Sequence, residues 1–234
     1  MPVIGLAHGS RHPDGTRAIE QLMATVARTG GVVAEPAFLD LADPDLTAVV
    51  RRLAAAGHRR AVVVPLLFTV AFHATVDVPD AVRDAAAEVG LELVVTDILG
   101  TGAEVEQLVT ASAAQAGVAE DTSLLLFAVG SSHQPANQAV HELAARLDAG
   151  RPGRVLAAFG TADPRPDAVL PQLLEPVAVV PLFLAPGLLL RGVTETATAR
   201  GWTVAPPLGD LAAPLVLQRW AGAAAVDAAV GAGR

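Results

Sequence analysis

The chain of 234 residues contains no cysteine, no lysine and no tyrosine. Without cysteine there is no disulfide framework, thiolate metal site or cysteine nucleophile. Without lysine there is no Schiff-base enzyme and no phosphate loop ending in Gly-Lys-Ser/Thr. All 16 basic residues are arginines, so catalysis is left to His, Asp, Glu, Ser, Thr or Arg. Aromatic residues are few, six Phe and two Trp, and the net charge is −8. With no basic cluster beyond Arg51-Arg52 and Arg59-Arg60, the composition argues against nucleic acid as a partner. Also missing are an uninterrupted apolar run of about 18 residues, which a membrane span needs, and a basic n-region in Met1-Pro2-Val3-Ile4-Gly5, which enters a strand-like run immediately. The expectation is a cytoplasmic protein with no signal peptide and no membrane partner, which disfavours a periplasmic-type receptor.

What is present alternates in period. Val3–Ala7 is a short apolar run closed by Gly9-Ser10, and Asp14–Arg28 carries Ile19, Leu22, Met23 and Val26 at helical spacing. Val32–Leu39 reads as a strand, and Pro44–Ala56 as a helix stopped by Gly57. Ala61–Phe68 is almost wholly apolar, as a strand covered on both faces should be. A helix Pro79–Val89, a strand Leu91–Thr96 and a helix Ala103–Ala116 follow. This order predicts an α/β fold with a mostly parallel sheet and helices on both faces.

The second half repeats the first. Ser123–Val129 with Gly130-Ser131-Ser132-His133 matches Val3–Ala7 with His8-Gly9-Ser10-Arg11-His12. Ala158-Phe159 to Asp163-Pro164 matches Ala37-Phe38 to Asp43-Pro44 with one residue deleted, and Val179–Leu184 matches Val63–Phe68. The matches keep their order at spacings of 121, 120 and 116 residues. A tandem duplication follows, two similar open α/β lobes at 1–119 and 120–234 with the joint near Gly117–Thr122.

The repeat acts as an internal control. Gly9, Ser10 and Pro65 have counterparts in Gly130, Ser131 and Pro181. In contrast, His8 is matched by Val129, His73 by Leu189, and Asp40 by Gly160 or Thr161 according to where the gap falls. Architecture is shared and polar side chains are not, which points to one active site, carried by the N-terminal half. Both histidines follow apolar β-like runs, and strand ends are where open α/β sheets place their chemistry.

His8-Gly9-Ser10-Arg11, Phe38–Pro44, and Val64–Phe68 with His73 and Asp77-Val78-Pro79 together resemble the sirohydrochlorin chelatases of the CbiX/SirB type. These are class II, ATP-independent chelatases, and the resemblance covers nearly the whole chain. It implies insertion of Co²⁺ or Fe²⁺ into sirohydrochlorin, in cobalamin or siroheme biosynthesis, with no permanently bound cofactor and the metal as substrate. It further implies that His8 and His73 bind the metal and accept pyrrole protons, with Asp40 as third catalytic residue. Asp40 stands where the family pattern has the longer Glu, so its reach is one methylene shorter. Gly9, Ser10, Arg11 and His12 would receive the carboxylates of the tetrapyrrole, at main-chain N–H groups and cationic side chains. The partners expected are sirohydrochlorin and the metal ion, for a monomer or homodimer. The alternatives are a chelatase for nickel or another tetrapyrrole and a non-catalytic metal- or tetrapyrrole-binding protein.

Other polar residues have plainer readings. Ser10 lacks the Gly-x-Ser-x-Gly elbow of a hydrolase nucleophile. His12 has a counterpart in His133, which suits a helix start as well as a substrate contact. Asp43 and Asp163 read as caps of the helices that follow, Asp77-Val78-Pro79 as a helix start, and His141 as a surface position on a helix. Gly231–Arg234 reads as a frayed tail.

Overall fold

The computed structural model describes the backbone of residues 1–70 and 73–232 and the side chains of residues 1–70 and 75–226. The expected strand-helix alternation is present. The first half runs β1 (Val3–Ala7), α1 (Pro13–Gly30), β2 (Ala34–Phe38), α2 (Leu46–Ala55), β3 (Arg60–Pro65), a π-helical turn (His73–Asp77), α3 (Val78–Val89), β4 (Glu92–Val95) and α4 (Ala103–Gln115). The second runs β5 (Ser123–Ala128), α5 (Gln134–Ala149), β6 (Val155–Phe159), α6 (Pro166–Val169), β7 (Val177–Pro181), α7 (Leu188–Ala199), β8 (Thr203–Val204) and α8 (Ala213–Ala232).

Each half contributes one four-stranded parallel sheet, ordered β2-β1-β3-β4 and β6-β5-β7-β8. The repeat extends to strand register. Ala7 pairs with Phe38 and Leu6 with Pro65, while Ala128 pairs with Phe159 and Phe127 with Pro181. Central strands β1, β3, β5 and β7 are apolar at nearly every position because helices cover both faces.

By packing, the chain divides into Met1–Gly100 with Ala212–Arg234, and Thr101–Leu211. In the first unit Ile4, Leu6, Ala61 and Val63 form a core with Val49, Val50 and Leu53 of α2 and Ala85 of α3. The opposite face carries α1 and α8, which pack on one another. In the second unit Leu125, Phe127 and Val179 pack with Val169 of α6 and Leu190, Val193 and Ala197 of α7, and α4 and α5 pack together. Each fully buried Val or Leu contributes about 1.5–3 kcal/mol. The packing units therefore assign α4 and α8 differently from the lobes 1–119 and 120–234 read from the repeat, since the helix closing each repeat is counted in the other unit.

Element boundaries differ from expectation for identifiable reasons. The strand expected over Ala61–Phe68 ends at Pro65, because its neighbour β1 ends at Ala7 and the last bond along that edge runs from the Leu66 N–H to the Leu6 carbonyl at 2.8 Å. His73 therefore lies not at a strand end but on the first residue of the π-helical turn ahead of α3. Nor does Asp43 cap α2: the cap is Asp45, whose Oδ1 accepts from the Ala48 N–H at 2.7 Å. Asp163 likewise caps nothing, Arg165 being the N-cap residue of α6. His141 is half-buried, edge-on to Phe159 with ring centroids 5.2 Å apart, rather than on the surface. Of the expected frayed tail, Gly233 and Arg234 lie outside the described residues.

Candidate active site

His8 follows β1 immediately, half-buried, at the C-terminal edge of the first sheet. Asp40 follows β2, the neighbouring strand, and parallel pairing brings the two together. The Leu39 N–H donates to the Ala7 carbonyl and the Asp40 N–H to the His8 carbonyl, both at 2.9 Å. The ladder thus continues two residues past the strands and ties the main chain of the two candidate residues to each other. His73 belongs to the same unit, beyond β3, but its side chain lies outside the described residues. Among the described residues no group of three His, Asp or Glu stands together as a metal cluster.

Gly9 makes this junction possible. Its φ is +101°, and a Cβ built on it would lie 1.8 Å from the Asp40 carbonyl oxygen. A side chain here would collide with main chain, which cannot rotate away. Gly130 repeats the geometry with φ +86°, its Cβ position 2.8 Å from the Cβ of Phe159.

The rest of the turn prepares α1. The Ser10 hydroxyl oxygen accepts from the His12 N–H at 3.0 Å, and Ser131 does the same for His133 at 3.0 Å. His12 is the N-cap, its Nδ1 accepting from the Asp14 N–H at 3.3 Å with Pro13 opening the helix. An accepting Nδ1 carries no proton, so the neutral ring presents its N–H on Nε2. Arg11 is exposed beside it. Thus Gly9, Ser10, Arg11 and His12 form one turn, in which Ser10 and His12 also hold local structure.

The two copies differ where the chemistry is expected. Hydrogen bonding settles the counterpart of Asp40 as Thr161, whose N–H donates to the Val129 carbonyl at 2.8 Å as Asp40 does to His8. The Thr161 hydroxyl then bonds the carbonyls of Val129 and Gly130 at 2.9 and 3.0 Å. Asn137 clamps Ser131 through both main-chain groups at 2.8 Å, and the Arg165 guanidinium bonds the Gly160 carbonyl. Polar groups at this strand end are spent on the chain itself, and Val129 and Leu189 are exposed apolar residues.

In the first unit the Asp40 carboxylate is exposed, and its Oδ1 accepts from the Leu41 N–H at 2.7 Å. Leu41 has φ +64°, the positive-φ position among the non-glycine described residues. Sequence reading missed it, because nothing in a Leu codes for a left-handed backbone; the one-residue length difference between the two loops was the available signal.

The CbiX family model matches residues 2–116 and 123–213, leaving unmatched between them the stretch where the repeats were expected to join. The sirohydrochlorin cobaltochelatase of Priestia megaterium is 22% identical over 207 residues, covering 82% of this chain and 67% of that protein. The fold is similar to that of SirB from Bacillus subtilis with Fe³⁺, at a TM-score of 0.79 and 21% identity over 100% of this chain and 97% of that one. It is also similar to CbiX, described as the terminal enzyme for biosynthesis of siroheme in denitrifying bacteria, at a TM-score of 0.71 and 20% identity over 95% and 99% of the two chains.

Proposed function

The chain belongs to the CbiX family, and from that premise we propose that it is a cytoplasmic, ATP-independent chelatase inserting Co²⁺ or Fe²⁺ into sirohydrochlorin. The observation that carries the reading is the coupling of His8 to Asp40 by a main-chain hydrogen bond at the end of β1, in the one copy of the repeat that keeps both side chains.

The reaction exchanges a divalent cation for two pyrrole N–H protons, so the site must strip water from the metal and carry two protons away. A neutral imidazole offers one lone pair, which binds a metal or takes a proton but not both at once. Two histidines divide that labour: His8 and His73 hold the incoming metal and accept pyrrole protons in turn. Imidazole nitrogen suits both iron and cobalt, and the Asp40 carboxylate lowers the positive charge of the loaded site. The substrate is a polycarboxylate, and the Gly9-Ser10-Arg11-His12 turn offers it a guanidinium and the Nε2–H of His12. Such a local cationic feature is needed in a protein of net charge −8.

Turnover separates this reading from a binding protein on the same fold. With metal and metal-free sirohydrochlorin in large excess, absorbance spectra show many equivalents of metallated product per protein. Conversion that halts at one equivalent would identify a binder instead. His8→Ala lowers kcat by about a hundredfold or more, the scale of a lost acid–base group, while Val129→Ala at the matching position leaves it within twofold. Equal rates in the two variants would overturn the assignment of the site to the first unit.

A further inference from the structure

The second copy of the repeat loses a helical turn that the first copy keeps. Spacing between matching residues falls from 120 at Pro44 and Pro164 to 116 at Val63 and Val179, a loss of four residues, about one turn of helix. In the first unit this segment forms the ten residues of α2, which packs on α3, and the Arg51–Glu88 ion pair ties the two helices together. In the second it forms only the four residues of α6 and a 3₁₀ turn, Leu170–Gln172. Beside that turn lies a cavity of about 260 Å³, lined by Asp167, Leu170, Pro171 and Arg200.

The counterparts of these four residues in the first unit are Thr47, Val50, Arg51 and Val89, the last placed by the left-handed helix stops Gly90 and Gly201. There Val50 and Val89 pack in the core, and Arg51 is paired. The second copy puts opposite charges at the places of Thr47 and Val89, while Pro171 and Ala199 cannot repeat the Arg51–Glu88 pair. Asp167 and Arg200 line one cavity, yet neither forms an ion pair or side-chain hydrogen bond among the described residues.

Arg200 is nevertheless held. Its Cζ lies 4.9 Å from the centroid of the Trp202 ring, and the Trp202 indole N–H donates to both carboxylate oxygens of Glu175 at 2.9 Å. Stacking fixes the plane of the guanidinium and leaves its N–H edge for a carboxylate. The cavity therefore combines an oriented guanidinium, a carboxylate and an apolar wall. A ligand of one charge would leave the other group unanswered, so the chemistry suits a zwitterion. The volume is just below the roughly 300–1,000 Å³ of drug-sized sites, too small for a tetrapyrrole and suited to a small metabolite. Nor is this the strand-end region of Val129 and Leu189. The twelve residues of α7, about 18 Å of helix, separate Arg200 from the edge where Leu189 packs on Gly160.

We propose that the second unit carries a binding site for a free α-amino acid with a small aliphatic side chain. Arg200 takes its carboxylate, Asp167 its ammonium group, and Leu170 with Pro171 its side chain.

Isothermal titration calorimetry on the full chain measures glycine, L-valine and L-leucine, with isobutylamine and isovalerate as valine analogues lacking the carboxylate and the ammonium group. L-Valine binds at one site per chain with a Kd of about 1 mM or tighter, within reach of a ligand of about eight heavy atoms. Each analogue binds about tenfold more weakly or worse. Asp167→Asn removes the preference for L-valine over isovalerate, and Arg200→Ala removes the preference over isobutylamine. Trp202→Leu keeps both charges but releases the guanidinium, and weakens L-valine several-fold. No binding of the three amino acids, analogues as tight as L-valine, or wild-type affinity in Asp167→Asn or Arg200→Ala would each overturn the proposal. The comparison of ligands uses the unaltered chain and so does not depend on any variant folding. His8→Ala, changed in the other unit, binds L-valine as the wild type does, which keeps this test independent of the chelatase reading.

Discussion

The carbonyl oxygen of Asp40 lies where a side chain on Gly9 would have to begin, 1.8 Å from the position of its Cβ. Two loops that meet this closely cannot be separated by a small rotamer change. Gly9→Ala adds a left-handed backbone cost of about 1–2 kcal/mol to an overpacking cost of about 1–3 kcal/mol. The expected result is a loss on the order of 3 kcal/mol in thermal unfolding, with metal insertion reduced tenfold or more. Gly130→Ala, at a 2.8 Å approach in the other copy, also lowers the melting temperature but leaves insertion within a few-fold. Equal loss of activity in the two variants would mean that Gly9 serves the fold alone.

His12 joins local structure to the substrate turn. Its Nδ1 caps α1, and replacing such a cap by alanine costs about 1 kcal/mol. His12→Ala is therefore destabilised by about that amount in denaturant unfolding, and His12→Asn, a good capping residue, restores it. Neither variant offers an Nε2–H, so both raise the KM for sirohydrochlorin several-fold. An asparagine variant with the wild-type KM would reduce His12 to a helix cap.

Arg151 ties down the segment where the sequence repeats are expected to join. Its Nη2 donates to the carbonyls of Ala119, Glu120 and Thr122 at 2.8 to 2.9 Å, and its Nε to Glu120 at 3.1 Å. Burial lowers the pKa of the guanidinium, opposed by the nearby charges of Glu120 and Asp121. A folded-state pKa lowered in a base means that the cost of burying the charge is present throughout the range below it. Arginine stays protonated across working pH, so the contribution is flat from about pH 5 to 9. Arg151→Ala leaves several carbonyls unpaired and lowers unfolding stability in urea by about 2 kcal/mol. Arg151→Lys recovers less than half, because a point charge cannot span the carbonyls that the planar fork bridges. Full recovery with lysine would show that charge and not geometry holds the joint.

The order of strands and helices, the duplication and the asymmetry of His8 against Val129 were legible from the amino acids alone. Periodicity, Gly and Pro punctuation and repeated motifs are properties of neighbours along the chain, and they require no knowledge of what packs against them. Family membership was legible for the same reason, since its motifs are short and ordered. Tertiary structure alone decided that Thr161 is the counterpart of Asp40, that Asp45 and not Asp43 caps α2, and that the chain leaves the sheet at Pro65. It also decided which unit α4 and α8 join, and it turned Leu41 into the left-handed region beside the candidate carboxylate. Each of these depends on hydrogen bonds and close approaches between segments distant in sequence, where a neighbouring strand's end or a carbonyl across a glycine sets the outcome.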